Sequence, residues 1–142
     1  MKTIGIVGSR RRDTAEDLEL TRKEFLAIYE KGDTLVSGGC PLGADHMAEI
    51  FAKEYGIPIK IHYAEWDKYG RGAGFQRNKY IAEDADVLIA CVSPDRKGGT
   101  EDTIKKSLAL HKTIFLVPQP KPEVEEKKEP DSESWIFDAQ GT

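Results

Sequence analysis

Five groups of residues in this chain carry side chains or backbone suited to holding an anion. Gly8-Ser9-Arg10 offers a hydroxyl and a cation beside a glycine. Ser37-Gly38-Gly39 leads into Gly43-Ala44-Asp45. Arg77-Asn78 pairs a planar cationic fork with an amide. Gly98-Gly99-Thr100 is followed by Thr103, with Glu101 and Asp102 between them. Glycine lets backbone approach a ligand closely, and N–H groups at a helix start favour negative charge. The chemistry on offer is therefore capture of phosphate, with hydroxyl and carboxyl groups left to meet a sugar.

Several sharper motifs are excluded by single residues. A G-x-G-x-x-G dinucleotide fingerprint starting at Gly8 would need glycine at positions 10 and 13, where this chain has Arg10 and Asp13. The stretch Gly38–Asp45 has Walker A glycine spacing, but Ala44 and Asp45 replace the Lys and Ser/Thr. Without that lysine there is no β/γ-phosphate clamp and no NTPase motor. Asp45 in a first helical turn reads either as a carboxylate favoured by the dipole or as an acceptor for a ribose hydroxyl. Thr100 reads as a helix N-cap, and the glycines before it as more than a cap requires. His46, His62 and His111 share no metal-ligand spacing with Cys40 or Cys91, so no resident metal site is expected. A divalent ion arriving with a bound nucleotide is compatible with the pocket. Cys40 and His46 make a weaker candidate nucleophile pair. Trp66 and Tyr69 read either as platforms for a base or as loop packing.

The elements that must position these groups alternate. β-rich runs are expected at Thr3–Val7, Thr34–Ser37, Ile59–Tyr63, Val87–Val92 and Thr113–Val117. Helices are expected at about 14–30, with Asp13 as N-cap and Leu18, Phe25, Leu26 and Tyr29 on one side, then at 44–55, 75–83 and 101–111. Gly32 sits where a helix C′ glycine would fall and Gly56 ends the second helix; residues 64–74 read as a loop. Helical crossovers between such runs imply a parallel sheet. The expectation is an α/β, Rossmann-like open sheet of about five parallel strands, order 3-2-1-4-5, with helices on both faces. All the glycine turns then open on one edge.

Composition sets the remaining bounds. The 142 residues suit one domain, expected over 1–117, with a Pro- and charge-rich tail over 118–142 ending in the apolar Trp135-Ile136-Phe137. The tail carries three Lys and seven acidic residues, which accounts for the whole net charge of −4. A balanced core gives no broad field for nucleic acid. Two cysteines make no disulfide framework, and no apolar stretch approaches the ~18 residues of a membrane span. A cytoplasmic protein with free thiols is expected, with a small-molecule partner, a homo-oligomer compatible, and neither membrane nor nucleic acid as partner.

In combination, Gly8-Ser9-Arg10, Ser37-Gly38-Gly39 through Gly43-Ala44-Asp45 and Ala48, Trp66, Arg71-x-Ala73-Gly74-x-x-Arg77-Asn78 and Gly98-Gly99-Thr100-x-x-Thr103 resemble the YspA/YpsA-related branch of the SLOG superfamily, over about residues 1–117. The resemblance implies a Rossmann-like domain binding nucleotides or nucleotide-derived ligands, akin to the LOG phosphoribohydrolases and to DprA. LOG enzymes carry an Arg-Lys pair and a G-G-x-G-T-x-x-E loop. Arg77 matches their Arg, Asn78 falls where their Lys stands, and Thr103 falls where their catalytic Glu stands. Threonine supplies no carboxylate to a developing ribosyl cation. Binding is thus the leading expectation, in the crevice at the C-terminal strand edge. N-glycosidic hydrolysis of a nucleoside monophosphate is the alternative, with Glu101, Asp102 or Asp45 as its carboxylate. DprA-like binding of single-stranded DNA is a further one.

Overall fold

A computed structural model describes residues 1–40 and 42–121. Five strands, β1 (Thr3–Gly8), β2 (Thr34–Gly38), β3 (Ile59–His62), β4 (Val87–Cys91) and β5 (Thr113–Leu116), form a single sheet in the order β3-β2-β1-β4-β5. Every pairing is parallel, with Gly5 opposite Val36 on one side and Leu88 on the other. A parallel sheet is covered on both faces, which is why its inner strands read as nearly continuous apolar runs.

Side chains alternate between the two faces of each strand. Ile4, Ile6, Leu35, Ile89 and Cys91 face α1 (Ala15–Ile28) and α2 (Ala44–Tyr55), where Phe25 stacks on Phe51 at 5.3 Å between ring centroids. Val7, Val36, Leu88, Ala90 and Val92 face α4 (Ala73–Asp84) and α5 (Gly99–Ala109) through Ile81, Ala85 and Ile104. The expected Rossmann-like topology is therefore the observed one.

Local expectations differ at four places. Helix α1 begins after Thr14, whose hydroxyl accepts from the Asp17 N–H while the Asp17 carboxylate accepts from the Thr14 N–H. Asp13 is not the cap, because this reciprocal box satisfies the helix start without it. The same helix ends at Ile28, so Gly32 lies in the turn before β2 and is not a C′ glycine; Leu26 faces solvent. Residues 64–74 are not an open loop but hold a short helix, α3 (Trp66–Tyr69), and a 3₁₀ turn (Gly70–Gly72) before α4. Helix α5 starts at Gly99 with Gly98 at the N-cap, so Thr100 sits inside the first turn. A glycine cap leaves the first N–H groups without a side-chain acceptor.

Among the described residues the last regular element ends at Leu116, and the segment Trp135-Ile136-Phe137 lies outside them.

Candidate functional site

The C-terminal ends of β1, β2 and β4 open on one cavity of about 450 Å³. Its rim and walls include Gly8, Ser9 and Arg10 from the first turn, Gly98, Gly99 and Thr100 from the start of α5, and Arg77 and Asn78 from α4. Asp45 and Thr103 complete the convergence of expected residues. Cys40, from the weaker nucleophile pair, and Arg11, from the basic run at 10–12, also line it, together with Val7, Ile81 and Lys97, which the sequence did not single out.

Four expected residues lie behind the wall rather than on it. Ser37 is buried, donates to the Ile6 carbonyl and sits 3.4 Å from Asp45 Oδ1. Gly38 lies under the Arg77 stem, and a Cβ there would stand 2.7 Å from Asp45 Oδ2. Gly39 abuts the Tyr63 ring. Gly43 shapes the junction of the first two turns: its φ is 76°, and an added Cβ would come within 2.4 Å of the Ser9 carbonyl oxygen. Any larger residue would both strain this backbone and push the two turns apart. Asp13, displaced from its expected capping role, braces the same junction by accepting from the Gly43 N–H at 2.9 Å.

Helices α2 and α5 both enter at this edge behind a glycine N-cap with no side-chain cap. Such helix starts present N–H groups to an anion.

The three consecutive arginines divide their labour. Arg12 is buried: it pairs with Asp17 at 3.0 Å and donates to the carbonyls of Val92, Val117 and Pro118. It therefore clamps the exits of β4 and β5 to the first turn. Arg11 pairs with Asp95 at 2.6 Å. Arg10 forms no ion pair among the described residues, and neither do the pocket cations Arg77 and Lys97. Arg77 Nε is buried with no hydrogen-bond partner among the described residues. A buried unpaired donor is costly, about 1–3 kcal/mol, and native proteins leave few.

Among the described residues Asp45 is the one carboxyl that lines the cavity. Burial pushes its pKa up to about 6, against the pull of Arg77, the Cys40 N–H and Ser37. The other expected carboxylates are engaged elsewhere. Glu101 takes both Arg96 nitrogens at 2.7 and 2.9 Å, and Asp102 holds Lys106 and the Asn78 amide. Thr103 is buried. Cys40 reaches the cavity, whereas His46 is exposed on α2 and does not line it. Among the described residues no three His, Cys, Asp or Glu side chains cluster as a metal would require. No described helix is long and apolar enough to cross a membrane.

Tyr69 is turned to other work: its hydroxyl lies 3.1 Å from that of Tyr80, and Lys68 sits over its ring. Trp66 is exposed beside Arg77. Arg11 belongs to the basic run Arg10-Arg11-Arg12, which the sequence offers as phosphate contacts. Lys97 has no such signal beyond its place before a glycine turn.

No family model matches the chain, and no curated protein matches it. Among solved structures, it is similar to the molybdenum cofactor binding protein from the phototrophic bacterium Rippkaea orientalis. The two share 23% identity over 81% of this chain and 75% of the other, with a TM-score of 0.65. The likeness is one of fold.

Proposed function

We propose that this chain binds a nucleotide or nucleotide-derived anion in the cavity at the C-terminal edge of the sheet. The observation that carries the reading is the convergence of Arg10, Arg77 and Lys97, none in an ion pair among the described residues, with two uncapped helix starts on one cavity. The phosphate end meets Gly8–Arg10, Gly98–Thr100 and Arg77. Asp45 and the Asn78 amide oxygen stand where a ribose hydroxyl would find acceptors, the Asn78 N–H groups being taken by the Gly99 carbonyl and Asp102. A cavity of about 450 Å³ falls in the range of small-molecule sites.

A ligand that prefers the folded state raises its melting temperature by mass action. Titration of ADP, AMP and inorganic pyrophosphate by calorimetry and thermal shift tests the reading. Saturable binding that weakens with salt is expected. A flat response to all three sinks it.

Two further readings each have one observation in their favour. The neighbouring fold belongs to a protein that binds the molybdenum cofactor, so that cofactor belongs in the same titration. Asp45, with its raised pKa of about 6, is the one group placed to act as an acid in N-glycosidic cleavage. Chromatography of incubated AMP, GMP and CMP distinguishes this: the binding reading expects no free base, and steady release that disappears in Asp45→Asn would replace it with hydrolysis.

A further inference from the structure

Among the described residues no aromatic side chain lines the anion cavity. A heteroaromatic ring entering with the phosphate would therefore find no stacking face inside it. Two aromatic rings stand just outside, and both are more than half exposed: Tyr63 at 64% and Trp66 at 61%. Trp66 borders the same glycine as Arg77, and Tyr63 borders the glycine next to one that Arg77 covers.

On one side, Tyr63 lies flat against Gly39, so closely that an added Cβ would stand 2.2 Å from its ring atoms. The next glycine back, Gly38, carries the Arg77 stem, with Arg77 Cδ 3.3 Å from the position of its missing Cβ. On the other side, Gly74 opens α4. The position of its missing Cβ is 3.9 Å from Arg77 Nη2 and 4.0 Å from Trp66 Cη2. Trp66 and the Arg77 guanidinium thus border the same space over Gly74, while the Tyr63 ring and the Arg77 stem cover the adjacent glycines 39 and 38. Glycine at 39 leaves the space the Tyr63 ring needs.

We infer that Tyr63 and Trp66 form the ring-binding subsite of this pocket, taking the planar heteroaromatic base of the ligand while Arg77 meets its phosphate. This deepens, and rests on, the nucleotide reading above. The placement explains why two large aromatics at the mouth of a polar cavity remain in solvent, since an aromatic face becomes covered when a base stacks on it. It also reassigns the second platform from Tyr69, whose hydroxyl and face are already engaged, to Tyr63.

The test compares a ligand with a base against one without. ADP and inorganic pyrophosphate are titrated into wild type, Trp66→Ala, Tyr63→Ala and Trp66→Phe in the full chain. Base–aromatic stacking of the usual strength predicts that Trp66→Ala weakens ADP roughly tenfold, and Tyr63→Ala about fivefold. Pyrophosphate affinity should stay within about twofold in both, and Trp66→Phe should retain most ADP affinity. In a Trp135→Phe background, ADP should quench Trp66 fluorescence and pyrophosphate should not.

Equal ADP affinity in wild type and Trp66→Ala, or equal losses for both ligands, overturns the subsite and leaves the anion site standing. Pyrophosphate binding with no gain from the adenosine moiety does the same, and would give the exposed rings to a protein partner instead. Failure of wild type to bind either ligand overturns the nucleotide reading and the subsite with it.

Discussion

The two edges of the sheet use the same residue types to opposite ends. At the N-terminal edge, charges are matched. Asp33 accepts from the Lys2 Nζ at 2.7 Å, the Lys2 N–H at 2.9 Å and the Glu30 N–H at 2.9 Å. Asp86 accepts from the Thr3 N–H, and Lys112 donates to the carbonyls of Glu83 and Ala85. Burial opposes the Asp33 charge, yet the Lys2 and Glu30 hydrogen bonds outweigh it and hold its pKa down to about 2. At the C-terminal edge, Arg10, Arg77 and Lys97 face one cavity without ion pairs, and Asp45 is pushed the other way, up to about 6. One edge is closed by its own chain, and the other is left for something else to complete. Perturbed groups in a cleft mark function more often than perturbed groups in a satisfied network.

Arg12 gives the largest expected effect and sharpens the contrast, because it sits at the ligand edge yet belongs with the matched charges. Its side chain and that of Asp17 are 3% and 4% exposed. Arg12→Ala leaves a buried carboxylate alone and should lower stability by about 3–5 kcal/mol, read by urea denaturation. A loss under about 1 kcal/mol would mean that the two edges cannot be separated by how fully their charges are paired.

Asp33→Ala should come next, with about 2–4 kcal/mol lost from three hydrogen bonds, one of them from the Lys2 ammonium, and with ADP affinity unchanged. The wild-type chain should also lose stability as pH falls from about 4 toward 2. There the folded state resists protonation more than the unfolded chain does. The variant should lack that acid limb.

Arg77→Ala inverts the pattern. It should weaken ADP binding by about 1.5–3 kcal/mol, as for loss of a charge-assisted contact, while urea denaturation moves by less than about 1 kcal/mol. Unchanged affinity removes Arg77 from the site.

Asp45 supplies the smallest effect and a sign. Its raised pKa means the folded state holds its proton more tightly than the unfolded chain, so its contribution to stability falls as pH rises from about 4 to 6. Asp45→Asn should flatten that decline and stabilise the free protein at pH 7.5 by about 1 kcal/mol, a residue of the burial penalty after lost hydrogen bonds. In wild type, ADP should bind more tightly at pH 5.5 than at 7.5, because protonation removes the one negative charge on the cavity wall. An unchanged affinity across that range would place Asp45 out of reach of the ligand's charge.

Sequence alone determined the strand order, since apolar runs separated by helical spacing leave right-handed parallel crossovers as the favoured closure. It also determined which edge gathers glycine turns, because the turn after each parallel strand must emerge on the same side. It could not separate wall from support. Ser37 and Gly38 carry the same residue types as Ser9 and Gly8, but β2 buries them beneath Arg77 and Asp45, whereas the β1 turn reaches the cavity. Nor could it assign three adjacent arginines to a clamp, a surface pair and an unpaired cation, which follows from where Val117, Asp95 and the cavity lie in space. Asp13 was the expected cap, but Thr14 forms the box with Asp17, a Thr-x-x-Asp spacing already legible in the sequence, and Asp13 engages Gly43 instead. Tyr69 reads from sequence as a platform beside Trp66, but its hydroxyl lies beside that of Tyr80, while Tyr63, which sequence singles out only as a strand end, lies against Gly39. Periodicity fixes elements because it is local, while the partner of a charge or ring is fixed by contacts between residues tens of positions apart.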